Sequence, residues 1–335
     1  MYSVFKKSVN KLLEDRKITI NFVDIGSRNG VLELDGIAAH VAAYGFEPNP
    51  VEYEKLVSGK TDAARLGVVV PSYSMLTYAP YAIAGTAGIG DFYVTHGPGA
   101  AGMLEPDPTR LKEIRWKGEL YKDNLADDVF KVDKVIQVET NTLGSFAKEK
   151  KLAFIDYLKI DVEGSEYEVL ESAGDLLKNV GVIKVEICFI TFRKNQKLFS
   201  EVDLLLRKFG FDLLRYESVP EQVGLKERTE PWSYHPAVGV PEKYGQLIQA
   251  DALYVNRSLA NNSRRIAQAV VLIDKNYLDE ALFVLRTRTD VKDSELFEML
   301  RTFPGDAKTL WIKAIFGLVR RLVRGVRKFK RVFSR

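Results

Sequence analysis

One cysteine, Cys188, stands among 335 residues. No internal disulfide can form, and the chain reads as cytoplasmic. Cys188 sits in the apolar run Val180 to Ile190, where a small buried core residue is expected. No apolar run is long and charge-free enough to span a bilayer. The opening segment, MYSVFKKSVNKLLEDRK, lacks the continuous apolar core of a secretory signal. Metal-ligand spacing is missing too, so no metal is predicted. Acids are absent from Ala307 to Arg335, which carries ten basic residues. The rest of the chain holds 39 basic against 45 acidic residues, a net −6. A nucleic-acid partner, which asks for a basic face on the folded domain, is therefore not expected.

What is present is organised around LKIDVEGSEYEVL, Leu158 to Leu170. An apolar run ends in Asp161, Glu163 and Gly164, and a helical pattern with Tyr167, Leu170 and Ala173 on one face follows. Open α/β sheets bind ligands outside the carboxyl ends of their strands. Two acids placed there repel each other and call for a ligand, cation or proton. The competing reading is that the acids complement the positive end of a helix dipole; Asp161, directly after the strand, fits that less well than Glu163 or Glu166.

Upstream, ITINFVDI ends in DIGSRNG, placing Asp24, Gly26 and Gly30 at a strand-to-helix turn where backbone can approach a ligand. The next apolar strand, Val41 to Phe46, ends in Glu47 and Pro48. Glu47 lies 23 residues beyond Asp24, near the ~20-residue spacing at which a nucleotide-binding βαβ unit places its ribose-binding acid. Strand, glycine turn, helix and acid-tipped strand point to an adenosine-containing cofactor without saying which. A nicotinamide-dependent oxidoreductase shares this unit, although no third glycine completes GxGxxG. An amino-type base methyltransferase would show a (D/N)PP(Y/F) tetrapeptide where IDVE stands.

Strands alternating with helices as far as Val255 predict a doubly wound α/β domain over residues 18–257, preceded by a helix over 1–17. Residues 97–130, rich in Gly, Pro and charge, read as an insertion or lid over the sheet edge. Lys184 and Glu186 interrupt the strand Val180 to Ile190 and need partners there. A Pro- and Gly-rich loop over 218–246 carries His235, a secondary candidate base. Residues 258–306 read as a helical hairpin packed on the domain, and 307–335 as a basic amphipathic helix. Over Trp311 to Arg335 one side is apolar and the other basic, the pattern of a helix lying on an anionic membrane surface. That pattern suggests a peripheral location on the inner face of a membrane. A membrane-tethered protein without catalysis is the non-enzymatic alternative.

FVDIGSRNG (22–30), GFEPNP (45–50), LKIDVEGSEYEVLESAG (158–174) and QADALYV (249–255) together resemble the FkbM family of S-adenosylmethionine-dependent methyltransferases. The resemblance implies a class I methyltransferase (Rossmann-like) sheet of seven strands with the last strand antiparallel, followed here by the C-terminal helical extension. It implies S-adenosyl-L-methionine as cofactor, with Asp24, Gly26 and Gly30 around its methionine part and Glu47 at its ribose; Ser27, Arg28 and Pro48 complete the expected cofactor-binding set. It also implies Asp161 beside the methyl group with Glu163 one turn further along, and Glu186 is the third acid expected near the acceptor. The expected acceptor is a hydroxyl, most readily on a sugar, glycan or secondary metabolite. Three departures stand out: Arg28 where the family usually has Asn, Gly144 after Thr142 and Leu143 where Asp is frequent, and GAAGML in place of a serine-rich stretch.

Overall fold

Strands that are apolar at nearly every position must be covered on both faces, which puts them in the middle of a sheet flanked by helices. The computed structural model describes residues 3–114, 126–217, 225–228 and 246–296. Helix α1 (Ser3–Asp15) leads into β1 (Ile20–Ile25), a 3-10 helix (Asp35–His40) and β2 (Val41–Phe46). Helices α2 (Pro50–Val57) and α3 (Asp62–Arg65) precede β3 (Met75–Ala79), β4 (Ala82–Ile83) and β5 (Gly88–Thr95). After α4 (Pro108–Leu111) and α5 (Ala126–Val129) come β6 (Val132–Asn141), α6 (Leu143–Glu149), β7 (Ile155–Ile160) and α7 (Glu166–Ala173). The chain continues through β8 (Val180–Cys188), α8 (Phe199–Lys208), β9 (Phe211–Tyr216), β10 (Leu225–Arg228) and β11 (Gln246–Asn256) to α9 (Asn262–Asp274) and α10 (Leu278–Arg288).

The main sheet runs β3-β2-β1-β7-β8-β11, and the position beyond β11 is shared by β9 and β10. Pairings among β3, β2, β1, β7 and β8 are all parallel. β11 is antiparallel to β8 on one side and to β9 and β10 on the other. Seven strand positions with the last strand in reverse are the expected class I architecture, its edge position split in two. A second sheet, β4-β6-β5, stands beside it.

One difference from the sequence reading bears on the site. The helix expected between β1 and β2 is a single short 3-10 helix, Asp35–His40. The chain from Arg28 to Leu34 is irregular, and the covering that a longer helix would give comes from α1 and α9, whose apolar sides join one core with Phe22, Tyr157, Val182 and Leu253. Residues 73–84 hold two short strands that belong to different sheets, β3 and β4.

Helix α9 is fixed by polar contacts as well as by burial of Ile266, Ala267, Val270 and Val271. Arg264 pairs with the buried Asp156 at 2.8 Å. Gln268 donates to the carbonyls of Gly181 (2.8 Å) and Asn256 (3.0 Å). The opposite face of the sheet is covered by α6, α7 and α8, whose Phe146, Leu170 and Leu206 pack on Val23, Leu158 and Ile183. No helix among the described residues is long and apolar enough to cross a membrane. The tail from Ala307, the loop carrying His235 and residues 297–306 lie outside the described residues.

Candidate active site

The tips of β1 and β7 are locked to each other, and a cleft opens over them. The Asp161 N–H donates to the Ile25 carbonyl at 2.9 Å. Gly26 has φ +95°, and a Cβ there would lie 1.9 Å from the Asp161 carbonyl oxygen, so only glycine allows this approach. The cleft has a volume of about 360 Å³, within the range of small-ligand sites. Its floor is Asp24, Gly26, Lys159 and Asp161; Glu47, Pro48 and Asn49 form one flank, and Pro98, Gly99, Ala101 and Met103 of the insertion close the other. Phe46, Ile83 and Phe92 supply an apolar wall.

Charge in the cleft is lopsided, with six carboxylates (Asp24, Glu33, Glu47, Glu52, Asp161, Glu163) against Arg28 and Lys159. Lys159 lies between two of the acids, its Nζ 3.2 Å from Asp24 Oδ1 and 3.5 Å from Asp161 Oδ2. Burial pulls the Lys159 ammonium down, but Asp24 and Asp161 outweigh it, so its pKa lies above the ordinary lysine value. Burial pushes Asp24 up to about 6 despite the opposing pull of Lys159, with Glu33 and Asp161 adding to the rise. Glu47, buried at the tip of β2, is pushed up to about 7 by burial, against the Asn49 N–H that donates to it at 2.8 Å.

Beyond Asp161 the backbone turns sharply. Glu163 adopts φ +60°, costly for a side chain other than Gly or Asn, and Gly164 adopts φ +112°. The turn is held from within by buried Glu166, whose carboxylate accepts the N–H groups of Val162 (3.2 Å) and Gly164 (2.9 Å). Burial lifts Glu166 to about 7, and the Gly164 N–H opposes that rise. The strained turn brings Glu163 beside Asp161 and Glu186, with carboxylate oxygens of all three within 4.8 Å of one another. Such a group can take up a proton from an acceptor or share a cation.

Of the residues expected at the site, Asp24, Gly26, Arg28, Gly30, Glu47, Pro48, Asp161 and Glu163 line the cleft. Glu186 joins through the acid group. Ser27 is buried and turned to the scaffold: its hydroxyl donates to the Asp24 carbonyl at 2.7 Å and accepts the Phe46 N–H at 3.2 Å, tying β1 to β2. Arg28 pairs with Asp62 at 2.8 Å and Glu52 at 3.4 Å, drawing the glycine turn toward α2 and α3.

Lys159, Glu33 and Arg193 escaped the sequence reading. Lys159 could have been found, because it breaks an apolar strand as Lys184 does. Glu33 receives Lys275 (2.8 Å), Lys184 (3.0 Å) and the Tyr157 hydroxyl (2.5 Å). Burial pushes Glu33 up, but Lys275 and Lys184 more than reverse it and hold it well below the usual carboxylate range. Lys184 also meets Glu217 at 3.3 Å and Asp251 at 3.5 Å, which answers why a lysine is tolerated inside β8.

With this geometry in view, comparison with known proteins is informative. The methyltransferase FkbM domain profile matches residues 24–213, more than half of the chain, from the end of β1 through the whole of β2 to β8. The chain belongs to the FkbM methyltransferase family. A curated relative, methyltransferase sdnD of Sordaria araneosa, is 28% identical over 217 residues, covering 61% of this chain and 78% of the relative. The crystal structure of TehB from Haemophilus influenzae aligns with a TM-score of 0.29 and 8% identity over 74% of this chain and 61% of that one. In this FkbM family chain the matched segment contains the whole cleft floor, whereas α9 and α10 lie beyond it.

Proposed function

We propose that the cleft binds S-adenosyl-L-methionine and that the protein methylates a hydroxyl, most readily on a sugar or related polyol. The observation that carries this reading is the acid-dominated cleft over the joined tips of β1 and β7, with Glu47 at the tip of β2. A surplus of carboxylates suits a cationic sulfonium, and the volume suits a ligand of this size. Glu47 would accept hydrogen bonds from the ribose hydroxyls, Gly26 and Gly30 would give the methionine part room, and Phe46, Pro48 and Ile83 would flank the adenine. Bound there, the cofactor supplies an activated methyl group.

The protein's part is alignment and proton uptake. Holding the acceptor oxygen in line with the methyl carbon provides most of the acceleration. As the new carbon–oxygen bond forms and the carbon–sulfur bond breaks, the hydroxyl proton passes to Asp161, Glu163 or Glu186, and a placed base contributes ~10²–10⁴-fold. Calorimetry with S-adenosylmethionine on the purified protein tests the cofactor assignment directly: micromolar binding supports it, and no heat of binding at millimolar ligand rejects it. Methyl groups missing from the glycans of a deletion strain, by mass spectrometry, would identify the acceptor. Full turnover by both Asp161→Asn and Glu163→Gln on that acceptor would reject the proton-uptake roles.

The basic tail motivates a second proposal, that the enzyme works at an anionic membrane surface. Each basic residue near such a surface adds ~1 kcal/mol, so the full chain should sediment with anionic vesicles at low salt and a chain ending at Gly305 should not. Equal recovery of both in the supernatant rejects it.

A further inference from the structure

Arg193 is the largest fully buried side chain in the described protein, with its side chain 1% exposed. Burying a guanidinium costs heavily unless its donors are met by fixed acceptors. Here they are met from two directions. One terminal nitrogen donates to the Ala100 carbonyl at 2.5 Å and lies 3.5 Å from Glu163 Oε2; the other donates to the Leu104 carbonyl at 3.1 Å. The Phe130 ring lies beneath the guanidinium, 5.0 Å away, and stacks on Phe192. Gly164 leaves the space for the arginine stem, since a Cβ there would stand 2.7 Å from Arg193 Cδ.

Arg193 is not part of the cleft wall, but Glu163 and the segment between its two carbonyl partners are. Ala101 and Met103 line the cleft between its two carbonyl partners, and Glu163 lines it as well. Gly102 closes the gap, because a Cβ there would meet the Val162 and Glu163 carbonyl oxygens at 3.0 and 3.1 Å. The insertion is thus pressed onto the strained turn after β7, and one buried cation is shared between them.

We propose that Arg193 is a positioning residue for methyl transfer: by holding Glu163 and the Ala100–Leu104 wall at once, it sets the width and charge of the cleft end that receives the acceptor. This rests on the methyl-transfer reading of the cleft. Two consequences are separable. The carbonyl bonds fix the wall, and the positive charge offsets Glu163 beside the place where the cofactor's sulfur would lie.

The test uses the full-length protein, Arg193→Gln and Arg193→Lys, with two probes, S-adenosylmethionine, whose sulfur is cationic, and S-adenosylhomocysteine, whose sulfur is neutral. Hydrogen exchange in residues 97–104 should rise at least about tenfold in both variants, because neither reproduces the fork of charge-assisted bonds. Exchange in β1 and β2 should stay as in the wild type. At pH 8, Arg193→Gln should shift the ratio of the two affinities toward the cationic ligand by roughly three- to tenfold, since Glu163 loses an opposing charge. Arg193→Lys should hold the wild-type ratio, which a purely space-filling role would not predict. Wild-type exchange over 97–104 in a folded Arg193→Gln, or equal affinity ratios in all three proteins, overturns the proposal. If the wild type binds neither probe, the cofactor reading fails and this proposal with it; binding with unaltered exchange and ratio sinks this proposal alone. Should Arg193→Gln not fold, Arg193→Lys decides by exchange: an unloosened wall with a wild-type ratio also overturns the assignment.

Discussion

The two faces of the main sheet are built from the same strands and end differently. On the face under α6, α7 and α8, Val23 and Ile25, Leu158 and Ile160, and Ile183, Val185 and Ile187 are apolar to the last residue. On the other, each strand changes character partway along: Phe22 gives way to Asp24, Tyr157 to Lys159, and Val182 to Lys184 and Glu186. Asp24, Lys159 and Lys184 stand side by side in register across β1, β7 and β8. A period of two lets one strand carry both programmes at once. The apolar face supplies cohesion without interruption, while the other converts into a charged row whose Asp24 and Lys159 line the cleft. Stability and site are therefore separated by face as much as by position along the strand.

Lys159→Met should test this division most severely. It leaves Asp24 buried without its nearest cation, at a cost of about 3–5 kcal/mol in urea denaturation. Leu158→Ala, one residue away on the apolar face, should cost about 2–5 kcal/mol through its cavity. Their pH dependence separates the two. Asp24 has a raised native pKa, so its contribution to stability is present below the unfolded value of 3.8 and is lost as pH rises through about 6. Removing Lys159 moves that window upward, so the deficit of Lys159→Met should grow between pH 5 and 8 while that of Leu158→Ala stays flat. Parallel pH profiles for the two variants would break the comparison.

Glu47→Ala should cost about 1–3 kcal/mol of S-adenosylhomocysteine affinity by calorimetry. Because Glu47 is lifted to about 7, it is mostly protonated at pH 6 and mostly ionised at pH 8. Wild-type affinity should accordingly fall by up to about tenfold from pH 8 to pH 6, and Glu47→Gln should lack that slope. Tyr157→Phe, which removes one of three groups on Glu33, should have the smallest effect, about 1 kcal/mol of stability. A loss as large as that of Lys159→Met would mean that the row is less divisible than drawn.

Much of this was readable from residue order. The strand tips Asp24, Glu47 and Asp161 announce themselves as acids ending apolar runs, and Glu163 follows from the glycine after it. Glu186 was legible as a charge that a central strand does not keep without reason. Lys159 carried the same signal but sat inside a motif read for its acids. Arg193 carried none: it lies in a loop, and its partners are 30, 89 and 93 residues away in the chain. The 3-10 connection after β1 was misread because a glycine turn ordinarily opens a helix, and the substitute covering, α9, is encoded more than 200 residues later.

That late covering has a consequence for how the protein is made. β1 lies at the centre of the sheet and leaves the ribosome more than 200 residues before α9, but Ile20, Phe22 and Tyr157 share their core with Ile266, Val270 and Leu285. The Lys275 ammonium that secures Glu33 comes from the turn after α9. Synthesis must therefore reach past α9 before the cleft floor has its backing, and the nascent sheet waits with one face open. A chain released at Asn256, though it holds the whole family-matched segment, should collect in the insoluble fraction.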